Sequence, residues 1–158
     1  CPFCGRFFTQ TQQKIVDKYV KTGKVKFVSK DIAFLGAESD LAAEAAQCAK
    51  EQGKFWQFHD EIFKREVIDG AENNGNMNKQ FFLDIAGTLG MDAKKLGQCL
   101  DARTYKSVIE ANMLDAQRIL GGQVSTPTIF VNGTLIRGAV PYEQFAAAIE
   151  AELAKAKN

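Results

Sequence analysis

The sequence has no long run of like charge, no long apolar run and a single histidine. Each shortage narrows what the chain does. Lys and Arg number 20 against 19 Asp and Glu, for a formal net charge of +1. A nucleic-acid partner needs a basic face or stripe, and none is visible. No stretch approaches the roughly 18 apolar residues of a membrane span. Repeats, low-complexity segments and a signal-type segment are also missing. The lone histidine, His59, sits on a mostly apolar helix pattern with Phe55, Trp56, Phe58 and Phe63. It reads as a core or interfacial residue rather than a catalytic one.

What is present fits one soluble globular domain. The 158 residues are 46% hydrophobic and 25% charged, enough to bury a proper core. The four cysteines permit two disulfides and an oxidising compartment, although four reduced thiols fit the count equally well. The chain is organised around Cys1-Pro2-Phe3-Cys4. Pro2 suits the first turn of a helix, where its missing N–H costs nothing. Cys1 then lies at the helix N-terminus, where unpaired N–H groups and the dipole favour a thiolate. Cys4, one turn on, is expected to be more buried and to act as the resolving thiol. Phe3, between the cysteines, is expected to be partly exposed, where it can tune the thiolate and contact substrate. The competing reading of a C-x-x-C pair is half of a zinc site.

Taken in order, the first helix runs from Gly5 to about Lys21, with Phe8, Ile15, Tyr19, Val16 and Val20 on its apolar face. Gly23 ends it, and Val25–Val28 reads as a strand. A helix-only stretch follows from about Ser39 to Leu120. Its first helix carries Leu41, Ala45, Cys48 and Ala49 on one face, and its second carries Phe55, Phe58, His59 and Ile62. A polar loop over 70–78 precedes a third with Phe81, Phe82, Ile85 and Leu89. Asp92 caps a fourth bearing Leu96, Cys99 and Leu100. A fifth presents Tyr105, Ile109, Asn112, Ala116 and Ile119. Two strands, Pro127–Val131 and Thr134–Arg137, then flank Asn132-Gly133, which points to a type I′ hairpin with φ > 0 at both turn residues. The turn accounts for the Asn-Gly-Thr sequon without glycosylation. Pro141 opens a last helix with Tyr142, Phe145, Ile149 and Leu153, and Lys155 and Lys157 suit its C-terminal end.

This order, with Ser125-Thr126-Pro127-Thr128 ahead of the hairpin, resembles the thioredoxin fold. The helical block between its halves resembles the DsbA-like thiol:disulfide oxidoreductases. Cys1-Pro2-Phe3-Cys4 is similar to their C-P-x-C motif and Thr126-Pro127 to their threonine–cis-proline. Ala46-Gln47-Cys48-Ala49-Lys50-Glu51-Gln52-Gly53-Lys54-Phe55-Trp56, continuing to His59-Asp60, resembles their first insert helices. The resemblance implies an α/β, thioredoxin-like fold with an inserted all-helical block. Residues 1–38 and 121–158 would form the thioredoxin-like domain and 39–120 the insertion. One or more N-terminal strands would be absent from this sequence, supplied by residues before Cys1 or by another chain.

The same resemblance implies the chemistry. Cys1 and Cys4 are the exchanging pair, supported by Pro2, Phe3, Thr126 and Pro127. Partners are cysteine-bearing protein substrates and a membrane redox protein that reoxidises the chain, with no metal, organic cofactor or nucleic acid required. The setting is periplasmic or otherwise extracytoplasmic, with a signal or anchor upstream of Cys1. Cys48 and Cys99, each on the apolar stripe of its helix, are expected to form a structural disulfide, as in some DsbA-like proteins; two buried thiols are the alternative. Two rival functions stand beside this one. The first is a zinc module using Cys1, Cys4, Cys48 and Cys99, and the second a non-catalytic thioredoxin-like interaction domain of a larger membrane-associated protein.

Overall fold

Helix formation begins at the first residues, because Pro2 presets the first turn and nothing interrupts the apolar periodicity after it. Helix α1 spans residues 2–20, with α-helical segments Pro2–Phe7 and Gln13–Ile15 and wider, π-type segments Phe8–Gln12 and Val16–Val20. The structure is a computed structural model that describes residues 1–69 and 71–156, without the side chains of 67–69. Lys157 and Gly70, which the sequence assigns to the last helix and the polar loop, lie outside the described residues. Five helices follow α1: α2 (Ala37–Glu51), α3 (Phe55–Asp69), α4 (Lys79–Thr88), α5 (Ala93–Asp101) and α6 (Lys106–Leu120). Strands β1 (Thr128–Val131) and β2 (Thr134–Arg137) and helix α7 (Tyr142–Lys155) complete the order.

The chain divides into two compact units. One takes Cys1–Ser29 with Ser125–Asn158, and the other takes Lys30–Val124. In the first, Phe7, Ile15 and Tyr19 of α1 meet Phe145 and Ile149 of α7, with Ile129, Val131 and Ile136 of the hairpin packed against them. Phe7 and Phe145 meet edge to face, their ring centres 5.4 Å apart. Tyr19 is fully buried, yet its hydroxyl donates to Glu150 Oε1 at 2.8 Å, so the burial leaves no orphaned polar group. The sequence places Phe8 on this face, whereas the structure buries Phe7 and leaves Phe8 half-buried. The π-type segment Phe8–Gln12 is the reason: it takes up about one extra residue, which rotates the line through Ile15 from Phe8 to Phe7.

Strands β1 and β2 pair antiparallel, with Val131 opposite Thr134 across a two-residue turn. Asn132 has φ +52°, but Gly133 lies outside the left-handed region, so the turn is not the strict type I′ that the sequence suggests. The expected strand at Val25–Val28 is also corrected. Among the described residues the sheet contains β1 and β2 only. Val25 and Phe27 are half-buried against the core while Lys26 and Val28 are exposed, so the two-residue alternation survives without a ladder. A strand is defined by pairing as well as by pattern, and the pattern alone misled here.

The second unit has its own core, built on Cys48, Ala49, Phe58, Phe82, Ile85, Leu96 and Leu100. Asn78 caps α4 by accepting from Phe81 N–H, and Asp92 caps α5 by accepting from Lys95 N–H. Cys48 of α2 and Cys99 of α5 are joined in a disulfide, with Cα atoms 6.0 Å apart. Glu44 is only 1% exposed, and both its oxygens accept from Arg103 at 2.6–2.9 Å, which neutralises the buried carboxylate. Two expected core positions are on the surface instead: Trp56 is 38% and Ile119 62% exposed. Helix α6 buries Ile109 alone, so its apolar periodicity exceeds what its neighbours cover.

At the start of this unit, Asp31 is half-buried. Its carboxylate accepts from Gln47 Nε2 at 2.6 Å, and its main-chain oxygen accepts from Asn112 Nδ2 at 3.2 Å. Burial pushes the Asp31 carboxyl above its ordinary range, against the opposing pull of Gln47, His59 and Lys50. The folded chain therefore holds the carboxyl proton more tightly than the unfolded chain does. That contribution to stability is complete below the unfolded-state value and is lost as pH rises through the raised folded value. Asp31→Asn keeps an oxygen for Gln47 and cannot ionise. Thermal unfolding across pH should show the variant more stable than wild type near neutrality, with the gap closing in acid. A constant gap at all pH values would contradict this.

Candidate active site

Helix α1 starts with an exposed set of main-chain donors, and the residue that caps them is Cys1. Its Sγ accepts from Cys4 N–H at 3.4 Å, and its carbonyl accepts from Gly5 N–H at 3.0 Å. A capping side chain must be an acceptor, and a thiolate is a better acceptor than a thiol. The cap and the charge on sulfur therefore favour each other. Pro2 sits in the first turn, as its ring requires.

The loop before β1 supplies the second wall. Thr126 Oγ1 donates to Cys1 Sγ at 3.4 Å, and the Cys1 thiol, when protonated, donates to the Thr126 carbonyl oxygen at 3.7 Å. The Thr126–Pro127 peptide bond is cis. Pro127 is buried, and its carbonyl accepts from Gly138 N–H at 2.8 Å. Thr128 Oγ1 donates to the Ser125 carbonyl at 2.6 Å, closing the turn that presents Thr126. Residues 125 positions apart in sequence thus converge on one sulfur.

Cys1, Cys4, Pro2, Phe3, Thr126 and Pro127 all belong to the first unit. Cys48 and Cys99 belong to the second and are bonded to each other, so they do not join Cys1 and Cys4 in a four-cysteine set. Cys1 and Cys4 are both half-buried. Phe3 is 57% exposed, with the Arg6 guanidinium 5.4 Å from its ring centre. His59 lies in the second unit, its Nδ1 2.9 Å from Asp60 Oδ1, among the rings of Phe55, Trp56 and Phe63.

One feature escaped the sequence reading. A cleft of about 620 Å³ runs from Phe3 along α1, past Arg6, Gln10 and Lys14, and is closed on its other side by residues 138–143. The spacing of Phe3, Arg6, Gln10 and Lys14 marks one helix stripe and was visible in the sequence. Nothing in the sequence shows that the segment after β2 lies opposite.

Thr126→Val removes the hydroxyl donor while keeping the side-chain shape. Alkylation of the reduced protein at mildly acidic pH should reach Cys1 before Cys4. Thr126→Val should slow Cys1 labelling by about two- to tenfold, the worth of one hydrogen bond. Faster labelling of Cys4 would reverse the assignment of the two thiols.

Known proteins resemble this chain in sequence and fold. A family profile described as thioredoxin matches residues 1–151. Disulfide bond formation protein D of Bacillus subtilis (strain 168) is 30% identical over 156 residues, 97% of this chain and 68% of that protein. The crystal structure of oxidised BdbD from Bacillus subtilis matches with a TM-score of 0.85 at 30% identity, over 97% of this chain and 82% of that one. Chlamydia trachomatis DsbA matches with a TM-score of 0.76 at 20% identity, over 99% and 81% of the two chains, a likeness of fold alone. The chain belongs to the thioredoxin family, among its DsbA-like thiol:disulfide oxidoreductases.

Proposed function

We propose that this oxidoreductase works as a dithiol oxidase of cysteine-bearing proteins, with Cys1 as the exchanging sulfur and Cys4 as the resolving one. The observation that carries the assignment is the convergence of Cys4 N–H and Thr126 Oγ1 on Cys1 Sγ. Donors fixed on one sulfur stabilise it as a thiolate, and therefore as the leaving group of exchange.

The steps balance without a cofactor. A substrate thiolate attacks Cys1 Sγ of the Cys1–Cys4 disulfide. The substrate–Cys1 bond forms, and Cys4 leaves as a thiolate that takes up a proton. A second substrate thiolate then attacks the substrate sulfur of this mixed disulfide and releases the Cys1 thiolate. The substrate loses two electrons and the Cys1/Cys4 pair gains them. Turnover needs a disulfide-bearing or electron-accepting redox partner, which we place in a membrane, with the chain acting on its extracytoplasmic side. No described helix is long and apolar enough to cross a membrane. The name of the Bacillus subtilis relative, a disulfide bond formation protein, supports the oxidative direction. The cleft beside Phe3 would hold an extended stretch of substrate next to its cysteine. Residues 39–120 would act as an insertion in the catalytic domain rather than as a separate enzyme.

Exchange should disappear in Cys1→Ser. Cys4→Ser, which cannot resolve, should accumulate a disulfide between Cys1 and the substrate cysteine when mixed with an oxidised substrate protein. Non-reducing electrophoresis with mass mapping reads both. Full activity in Cys1→Ser, or trapping through Cys4 in Cys1→Ser alone, would overturn the roles.

A further inference from the structure

Helix α1 carries Arg6, Lys14 and Lys18, and Lys21 follows its last residue. Lys18 Nζ is 3.4 Å from Glu150 and Lys21 Nζ is 2.6 Å from Asp17, so each has a carboxylate. Arg6 and Lys14 have none within 4.0 Å among the described residues. Their described partners are rings alone, Arg6 on Phe3 at 5.4 Å and Lys14 on Tyr142 at 5.5 Å, whereas Lys18 has both Glu150 and the Tyr19 ring at 4.9 Å. Both are exposed and both line the cleft, whose acidic member is Glu143. Two cations face one carboxylate in a groove that starts at the active-site motif.

We infer that Arg6 and Lys14 select substrate segments carrying acidic side chains near the reacting cysteine. The inference rests on the exchange function proposed above and adds a charge preference to it. Cation–ring contact leaves the guanidinium and ammonium able to accept a carboxylate, because the ring holds only one side of each group. The stripe also fixes spacing. At about 1.5 Å per residue, Arg6 and Lys14 lie roughly 7 Å and 20 Å along α1 from Cys1. An extended chain advances about 3.3 Å per residue. A segment lying along the cleft therefore brings acids about two and six residues from its cysteine to the two cations. Such rim charges act chiefly on association, so the preference is sensitive to salt.

The test uses the oxidised whole chain and three matched dithiol peptides, with Glu, Lys or Ser at those two positions. Rates of disulfide transfer are read by acid quench and mass counting, and dithiothreitol is the charge-free comparison. The Glu peptide should react about two- to tenfold faster than the Lys peptide at low salt, as expected for two exposed ion pairs, and the gap should shrink at high salt. Lys14→Gln should narrow the gap and Arg6→Glu with Lys14→Glu should invert it. Equal rates for all three peptides, or a preference that the variants leave unchanged, would overturn the inference while leaving the exchange function in place. Failure to oxidise dithiothreitol as well as every peptide would instead overturn the exchange function, and this inference with it.

Discussion

The structure of the first unit depends on one sulfur acting as a helix cap. The N-terminus of α1 needs an acceptor, and Cys1 Sγ supplies it to Cys4 N–H. Capping by sulfur is weak when the sulfur is a neutral thiol and better when it carries charge. The fold thus lends its end-of-helix electrostatics to the atom that reacts. Thr126 Oγ1 adds a donor from the far end of the sequence. In the exchange function proposed above, cap, nucleophile and leaving group are the same atom, so what stabilises the helix start would also tune the chemistry.

That sulfur stays in place because the elements around it are fixed at several points. The far half of α1 is anchored through Ile15 and Tyr19 to Phe145 and Ile149 of α7, and through the Tyr19–Glu150 hydrogen bond. The Thr126 loop is held by Gly138 N–H on the Pro127 carbonyl and by its own Ser125–Thr128 turn. The second unit is stabilised by different means: the Cys48–Cys99 bridge, the Glu44–Arg103 pair and a core centred on Phe58 and Phe82. Its disulfide lies between buried Cys48 and half-buried Cys99, while the cysteines of the motif are both half-buried at a helix start.

Much of this was legible in the sequence because it is local. Cys1-Pro2-Phe3-Cys4 places a cysteine at a helix start, Asp92 announces a cap, and Asn132-Gly133 marks a hairpin. What escaped is tertiary or depends on helix irregularity. Phe7 rather than Phe8 faces the core because the π-type segment Phe8–Gln12 shifts the helix phase, and no residue pattern advertises it. Val25–Val28 has the alternation of a strand and lacks the ladder, since pairing is a property of two segments. Ile119 satisfies a helical pattern yet is exposed, because periodicity does not say how much of a face is covered. The cleft beside Phe3 has one wall readable as a stripe on α1. The opposing segment, 138–143, is brought there only by folding.

The central claim is that the Cys1–Cys4 pair transfers its disulfide to protein thiols while Cys48–Cys99 does not. The most direct measurement is one turnover of the oxidised chain with a reduced, unfolded protein containing two cysteines. The reaction is quenched by alkylation, and every cysteine of both partners is mapped by mass. The account requires a new disulfide in the substrate for each chain consumed, with alkylated Cys1 and Cys4 and an intact Cys48–Cys99 bond. An unoxidised substrate, or a substrate disulfide gained at the expense of Cys48–Cys99, would contradict it.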